Sequence, residues 1–395
     1  MRRSKVSVCV VTVVLFAFLT GLAGAGAAAQ SPSAPPTKAK QETQNPPIED
    51  LHEAGRIHFP VPAPVMMESA VECDQRGRMY VADSDSPQAN PVALPIRRLS
   101  PDSQGVTTYV MQQPSGYPTW GRLSWSVTPW GTVYVLVKGY QHSPPQKGEL
   151  PGYFIERFDN DGTVESIITL QQGQQGFVSP VQFAAFAYGG FLITGTIGSG
   201  IALSQQRPFT AVYDGSGQFA REVELSDYDT VAAHSEGFGK QGSASQKILK
   251  EEWGVAQGML AAAADGSAYS VRATDPPVLY VISPGGDVTK EVKLQFNSSD
   301  LIPVGMNPSA EGVPVIEFGP SPVLNPREFS QHQNELVLVD LETGKVKGVF
   351  RQPPGGFLMS SCATPQGEFM FLGRRSDKGT LDLVEFARPA LRPPE

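Results

Sequence analysis

The sequence predicts an all-β fold: a six-bladed β-propeller of four-stranded antiparallel blades, closed by an N-terminal strand that completes the last blade. Three observations carry this. A strand, a tight turn with a glycine, and a second strand recur six times. A further hairpin follows each of the first five copies. The last unit then lacks a fourth strand, while a strand of matching form stands near the start of the chain.

The first hairpins align on Gly77 in "ECDQRGRMYVAD", Gly131 in "SVTPWGTVYVLVK" and Gly189 in "AAFAYGGFLITG". They continue at Gly266, Gly312 and Gly367. The second hairpins align on Gly105, Gly162, Gly217, Gly286 and Gly344. Two hairpins make four strands in about 45–60 residues, the size of a propeller blade. The blades run over 66–112, 121–172, 179–226, 255–296, 302–352 and 356–390, with an insertion at 226–255. "RFDNDGTVESIITL" tests the scheme, because its Asp159-Asn160-Asp161-Gly162 also has the look of a calcium loop. Its place is held elsewhere by other residues, with only glycine in common, and no distal Glu is well placed. We read it as a hairpin turn, where glycine supplies the left-handed position and Asp bonds to the turn backbone.

Closure follows from the ends of the array. "AGRIHFPVP", residues 54–62, has the form of the outer strands "GVTTYVMQQP" and "GKVKGVFRQPP". Pairing it with the last blade removes an open sheet edge.

Ahead of it, Arg2, Arg3 and Lys5 precede an apolar stretch and an Ala27-Ala28-Ala29 site, the pattern of a secretory signal peptide over 1–29. Residues 30–50 are polar and proline-rich, a disordered tether. Residues 51–395 form the propeller. The expected location is periplasmic or secreted, with cleavage near Ala29 and no membrane span afterwards. The net charge of −8 is spread out, without a basic stripe, which argues against nucleic acid as a partner.

With these units in place, the chain resembles the six-bladed propellers of the NHL-repeat and TolB-like group over residues 54–390, most closely in "DQRGRMYVAD". The resemblance implies a fold. The group includes binding scaffolds, lactonases and lyases, and fold does not choose among them.

Function is expected on the face that carries the long loops. Calling the strands of each blade A to D from the axis outward, the A–B and C–D turns are short and share one face. The B–C and D–A connections share the other, with long segments at 84–95, 139–153, 196–209 and 319–334, and at 112–122, 172–180 and 226–255. In the last of these, Ile248, Leu249 and Trp253 fall at helical spacing. Tyr117, Trp120, Tyr140, His142, Tyr153 and Phe177 cluster around blade two, either as a platform for a protein, peptide or glycan or as packing between loops. Asp83, Asp85, Lys138, Arg272, Asp275, Glu317, Arg374 and Arg375 stand near the ends of the B strands and are expected to ring the channel mouth. The five histidines lack metal-ligand spacing, and no nucleophile elbow, phosphate loop or HExxH motif is present. A non-catalytic binding or scaffold propeller is therefore the expectation, with no cofactor. The alternative is a metal-dependent hydrolase or lactonase-like enzyme, with calcium or another divalent ion at the channel mouth.

Cys73 and Cys362 lie on the innermost strands of blades one and six, which closure makes neighbours. Cys73 is four residues before its turn glycine and Cys362 five, so their parity points the sulfurs toward each other. Face-packed sheets stand about 10 Å apart, more than a disulfide spans. A bond and two buried free thiols both remain open.

Overall fold

Every blade has to bury both faces of its sheet against its two neighbours, so its middle strands read as nearly unbroken apolar runs. In the computed structural model this holds for VYVLVKGY, FLITGTIG and PVIEFGP, with only the ends of the first two reaching solvent. The structure describes residues 45–62, 71–82, 95–102, 105–171, 176–198, 206–226, 258–274, 276–296, 301–308, 314–320, 334–351, 357–363, 368–375 and 380–387. All of its regular elements are strands.

Two strands precede the blades, β1 (Ile48–Asp50) and β2 (His52–Pro62). Blade one holds β3 (Val71–Cys73), β4 (Met79–Ala82), β5 (Ile96–Ser100) and β6 (Gly105–Tyr109). Blade two holds β7 (Thr119–Val127), β8 (Val133–Tyr140), β9 (Gly152–Phe158) and β10 (Val164–Thr169). Blade three holds β11 (Phe177–Ala185), β12 (Phe191–Gly198), β13 (Gln206–Tyr213) and β14 (Phe219–Glu222). Blade four holds β15 (Met259–Ala262), β16 (Ala268–Arg272), β17 (Val278–Ile282) and β18 (Val288–Lys293). Blade five holds β19 (Leu301–Pro308), β20 (Pro314–Pro320), β21 (Glu335–Val339) and β22 (Val346–Arg351). Blade six holds β23 (Phe357–Ala363), β24 (Phe369–Arg375) and β25 (Thr380–Ala387), and β2 is its fourth strand.

The closing strand pairs antiparallel with β25 from His52↔Ala387 to Pro62↔Thr380, starting two residues before the expected Ala54. Asp382 stitches the seam, accepting from His58 Nδ1 at 2.9 Å and Arg56 Nη1 at 3.1 Å. Residues 48–50, read from sequence as the end of the tether, instead form β1, a fifth strand parallel to β22 on the outer edge of blade five. The N-terminal segment therefore runs along the rims of two successive blades.

Each of the six blade junctions carries its own hydrophobic core. Tyr80, Tyr109, Trp125 and Phe158 fill the junction of blades one and two, and Phe183, Phe191 and Phe209 that of blades two and three. Phe186 and Tyr280 lie between blades three and four, Phe296 and Phe318 between four and five, Phe350 and Phe371 between five and six. Phe59 of the closing strand joins Met79 and Leu99 between blades six and one.

The inner ring is also stapled. In each A strand the next-to-last residue faces the following blade, and at three successive junctions it reaches the last residue of the next A strand. Cys362 bonds to Cys73, with Cα atoms 5.6 Å apart. The Glu72 carboxylate accepts the Val127 N–H at 2.7 Å, and Ser126 Oγ accepts the Ala185 N–H at 3.3 Å. Convergence of the blades toward the axis closes the gap that face-packed sheets would leave, so the two cysteines form a disulfide.

The DNDG segment is a hairpin turn. Asp159 Oδ1 accepts from the N–H groups of Asp161 and Thr163, and Gly162 has φ of +94°. Gly162 has a second duty: a Cβ there would lie 2.2 Å from the Thr108 carbonyl oxygen on β6 of the preceding blade. Gly105, expected as a turn glycine, is instead the first residue of β6, and the chain turns ahead of it.

Candidate functional site

The A strands build the wall of the axial channel, and three of them carry a bulge at one repeated position. Pairing shifts between Arg122 and Ser124, between Pro180 and Gln182, and between Pro303 and Gly305. The extra residues are Leu123, Val181 and Val304, each eight positions before the turn glycine of its blade. Leu123 and Val181 are 41% and 42% exposed. Neighbouring blades cover both faces of an A strand, so exposure in its middle is toward the axis, and the channel wall is apolar there. The channel is narrow: β7 comes within 8 Å of β15, and β3 within 8 Å of β19, Cα to Cα, across the blade between them.

At the loop-bearing end, the aromatic group expected around blade two divides. Trp120 and Tyr153 are buried in the cores on the two sides of the blade. The Tyr153 hydroxyl lies 3.2 Å from Ser179 Oγ. Tyr117 packs over Gly139 and Gly152 and edge-on to Phe154, with centroids 4.7 Å apart. These three pack between loops and blades. His142 is exposed and Tyr140 half-buried, with Lys138 Nζ 5.1 Å from the Tyr140 ring centroid. Phe177 opens β11, and its side chain lies outside the described residues.

The loop joining β8 to β9 is held from within by one carboxylate. Glu149 accepts the backbone N–H groups of Gln141 at 2.6 Å, His142 at 3.2 Å and Gln146 at 2.8 Å. It also lies 3.3 Å from His142 Nδ1. The Gln146 N–H heads the causes that hold its carboxyl below the usual range. The loop therefore presents Tyr140, His142 and the half-exposed Leu150 from a fixed base.

The expected ring of charge divides as well. Lys138 is partly exposed at the end of β8. Arg272, expected in the ring at the channel mouth, is buried at the end of β16, its Cδ against the Gly258 backbone. Glu317 lies in the middle of β20, facing blade six over Gly305, and accepts from Asn334 Nδ2 at 2.7 Å. Burial pushes its carboxyl up to about 7, opposed in part by the Asn334 bond. Glu317 is thus a buried partner of Asn334, because the bulge brings Gly305 opposite it and leaves room for a carboxyl. Asp83, Asp85 and Asp275 lie outside the described residues, as do the side chains of Arg374 and Arg375 at the end of β24. Ile248, Leu249 and Trp253 of the insertion also lie outside them.

Two further carboxyls, Glu156 buried and Glu72 partly so, escaped the sequence reading. Burial pushes Glu72 up to about 8 and Glu156 up to about 7, each opposed by one backbone donor, Val127 and Gln112 respectively. Glu156 faces blade one from β9, and neither residue had a motif to mark it. Among the described residues, no three His, Cys, Asp or Glu side chains are grouped to hold a metal ion.

No family model matches the chain, and no curated protein matches it. Among solved structures it is similar to a protein of unknown function from Dyadobacter fermentans at 9% identity, covering 87% of this chain and 100% of that one, with a TM-score of 0.48. A protein of unknown function from Bacteroides caccae shares 15% identity over 71% of this chain and 80% of its own, with a TM-score of 0.38. A luciferin-regenerating enzyme shares 9% identity over 85% of this chain and 96% of its own, with a TM-score of 0.44. At these values the likenesses assign no activity.

Proposed function

We propose that the protein is a secreted or periplasmic binding propeller without catalytic function, which takes a protein, peptide or glycan on its loop-bearing face. The loop between β8 and β9 carries this reading. Glu149 fixes its backbone at three points, while His142 and Leu150 are exposed and Tyr140 is partly so. Ordering a loop before binding lowers the entropy that the complex has to offset. A rigid scaffold that positions such a loop is the usual arrangement of a binding surface.

The test replaces residues 141–150 by a two-residue Asn-Gly turn, and screens parent and variant on peptide and glycan arrays. The parent is expected to retain a defined set of ligands that the variant loses, with melting temperatures within a few degrees. A variant that keeps the same ligands would place binding elsewhere.

A further inference from the structure

We propose that the opposite face is a second interaction surface, where Trp130 and Tyr188 receive a polypeptide segment carrying lysine or arginine beside apolar side chains. The A–B turns surround the channel on that face, and the residue before each turn glycine is its tip. In blades one to four the tips are Arg76, Trp130, Tyr188 and Asp265. Arginine and aspartate serve the same turn in blades one and four, so the turn itself does not require an aromatic residue. Trp130 is nevertheless 52% exposed and Tyr188 87% exposed, on adjacent blades. Single exposed apolar residues are ordinary on a protein surface. Two large aromatics at one equivalent position form a repeated feature.

Both are mounted rigidly. The turns of blades one and two are laced by Gln75 N–H to the Pro129 carbonyl at 3.0 Å and by Arg78 Nη2 to the Trp130 carbonyl at 3.2 Å. The Tyr80 hydroxyl adds a bond to the Gly131 carbonyl at 3.3 Å. Tyr188 leans on Gly266 of the next blade, where a Cβ would come within 3.0 Å of its ring. Rigid, exposed Trp and Tyr are the side chains that most often anchor protein–protein contacts.

Charge specifies the partner. The C–D turns lie on the same face, farther from the axis, and each carries carboxylates. In blades four and five these are neutralised, Asp287 by Arg221 and Glu342 by Lys290. In blades one to three, Asp102, Asp159, Asp161 and Asp214 form no ion pair with any described residue. The carboxylates without a cation thus lie on the blades that present the aromatics and Arg76. A segment with cationic groups spaced around apolar ones matches this arrangement, whereas an anionic membrane surface is repelled by it.

The experiment titrates fluorescein-labelled peptides of alternating Lys and Trp, and of alternating Glu and Trp, against the mature protein. Anionic and zwitterionic phospholipid vesicles are tested in parallel, and self-association is followed by sedimentation. The Lys peptide is expected to bind saturably and more weakly in about 0.5 M salt. Replacing Trp130 and Tyr188 together by Ala should weaken it about tenfold or more at unchanged melting temperature. Asp214→Asn, which keeps an oxygen to cap its turn, should weaken it about two- to threefold. Replacing residues 141–150 should leave it unchanged. Equal binding of the Glu peptide, wild-type binding by the double variant, or binding to vesicles without binding to the Lys peptide would each overturn the proposal. A dimer abolished by the same substitutions would overturn it too, giving the face to a second copy.

Discussion

Gly162 and Gly116 both have positive φ, but only one of them is confined. Next to Gly162 a Cβ meets the Thr108 carbonyl at 2.2 Å, while around Gly116 nothing lies within 4 Å. Gly116→Ala therefore carries the backbone term alone, about 1 kcal/mol. Gly162→Ala must also push blade two away from blade one, and is expected to cost about 2–4 kcal/mol. Denaturant unfolding of the two variants checks the difference. Glu72 provides the second prediction at this scale. Its carboxyl is raised to about 8 in the fold, above the unfolded carboxylate value. The folded state therefore holds a proton that the unfolded state releases, so this contribution is fully present below about pH 4.5 and is lost as pH rises toward 8. Glu72→Gln keeps an oxygen for the Val127 N–H and removes the titration. Its melting temperature should fall less between pH 5 and 8, with a gain of about 1–3 kcal/mol at pH 8. A parallel pH profile in the two proteins would show that Glu72 does not titrate in this window.

Strands and loops carry the next prediction. A chain beginning at Asn45 keeps every described strand. One beginning at Leu51 loses β1 and is expected to be less stable by about 1–2 kcal/mol. One beginning at Ala63 loses the closing strand, Phe59 and the bonds to Asp382, and should aggregate or melt without cooperativity. Equal melting of the second and third chains would remove the closing role of β2. Most of these elements were legible because a turn glycine and apolar runs mark each hairpin. β1 was not, since three residues of a polar segment carry no period to read. For Trp120 and Tyr153 a surface platform and packing between loops both stayed open, because burial depends on which blade stands opposite, and that is not local information. Glu317 falls inside the blade because β20 runs on to Pro320, and the bulge that sets Gly305 opposite it is visible only as a repeated offset from the turn glycine. For the cysteines, parity gave the direction of the side chains, and only the convergence of the blades gave the distance.

At the scale of the molecule, the ring is closed twice in one place. β2 completes the outer edge of blade six, and Cys362–Cys73 joins its inner edge to blade one. A covalent loop of this length is worth about 5 kcal/mol in the chain-entropy description of a disulfide. Cys73→Ser with Cys362→Ser should lower stability by about 2–5 kcal/mol while β2 keeps the ring shut. The check is a melting curve that stays cooperative at a lower midpoint. Loss of cooperativity would mean that the strand alone cannot close the ring.

The same double closure sets how the protein bears a load. β2 and β25 run antiparallel, and His52 at the start of one pairs with Ala387 at the end of the other. Tension between the two ends therefore strips β1 from β22 and then opens the β2–β25 pair one bond at a time, as a zipper, rather than shearing all of its bonds together. The opening stops at the disulfide, which shunts force past the chain between its cysteines, 289 positions apart. Pulled in oxidising solution, the described chain should release only the segments outside the bond, on the order of 180 Å of extended backbone. In reductant it should go on to release the blades, several times that length. Five of the six blades then sit inside a mechanical bypass, and once β1 has left blade five the load path runs through blade six alone.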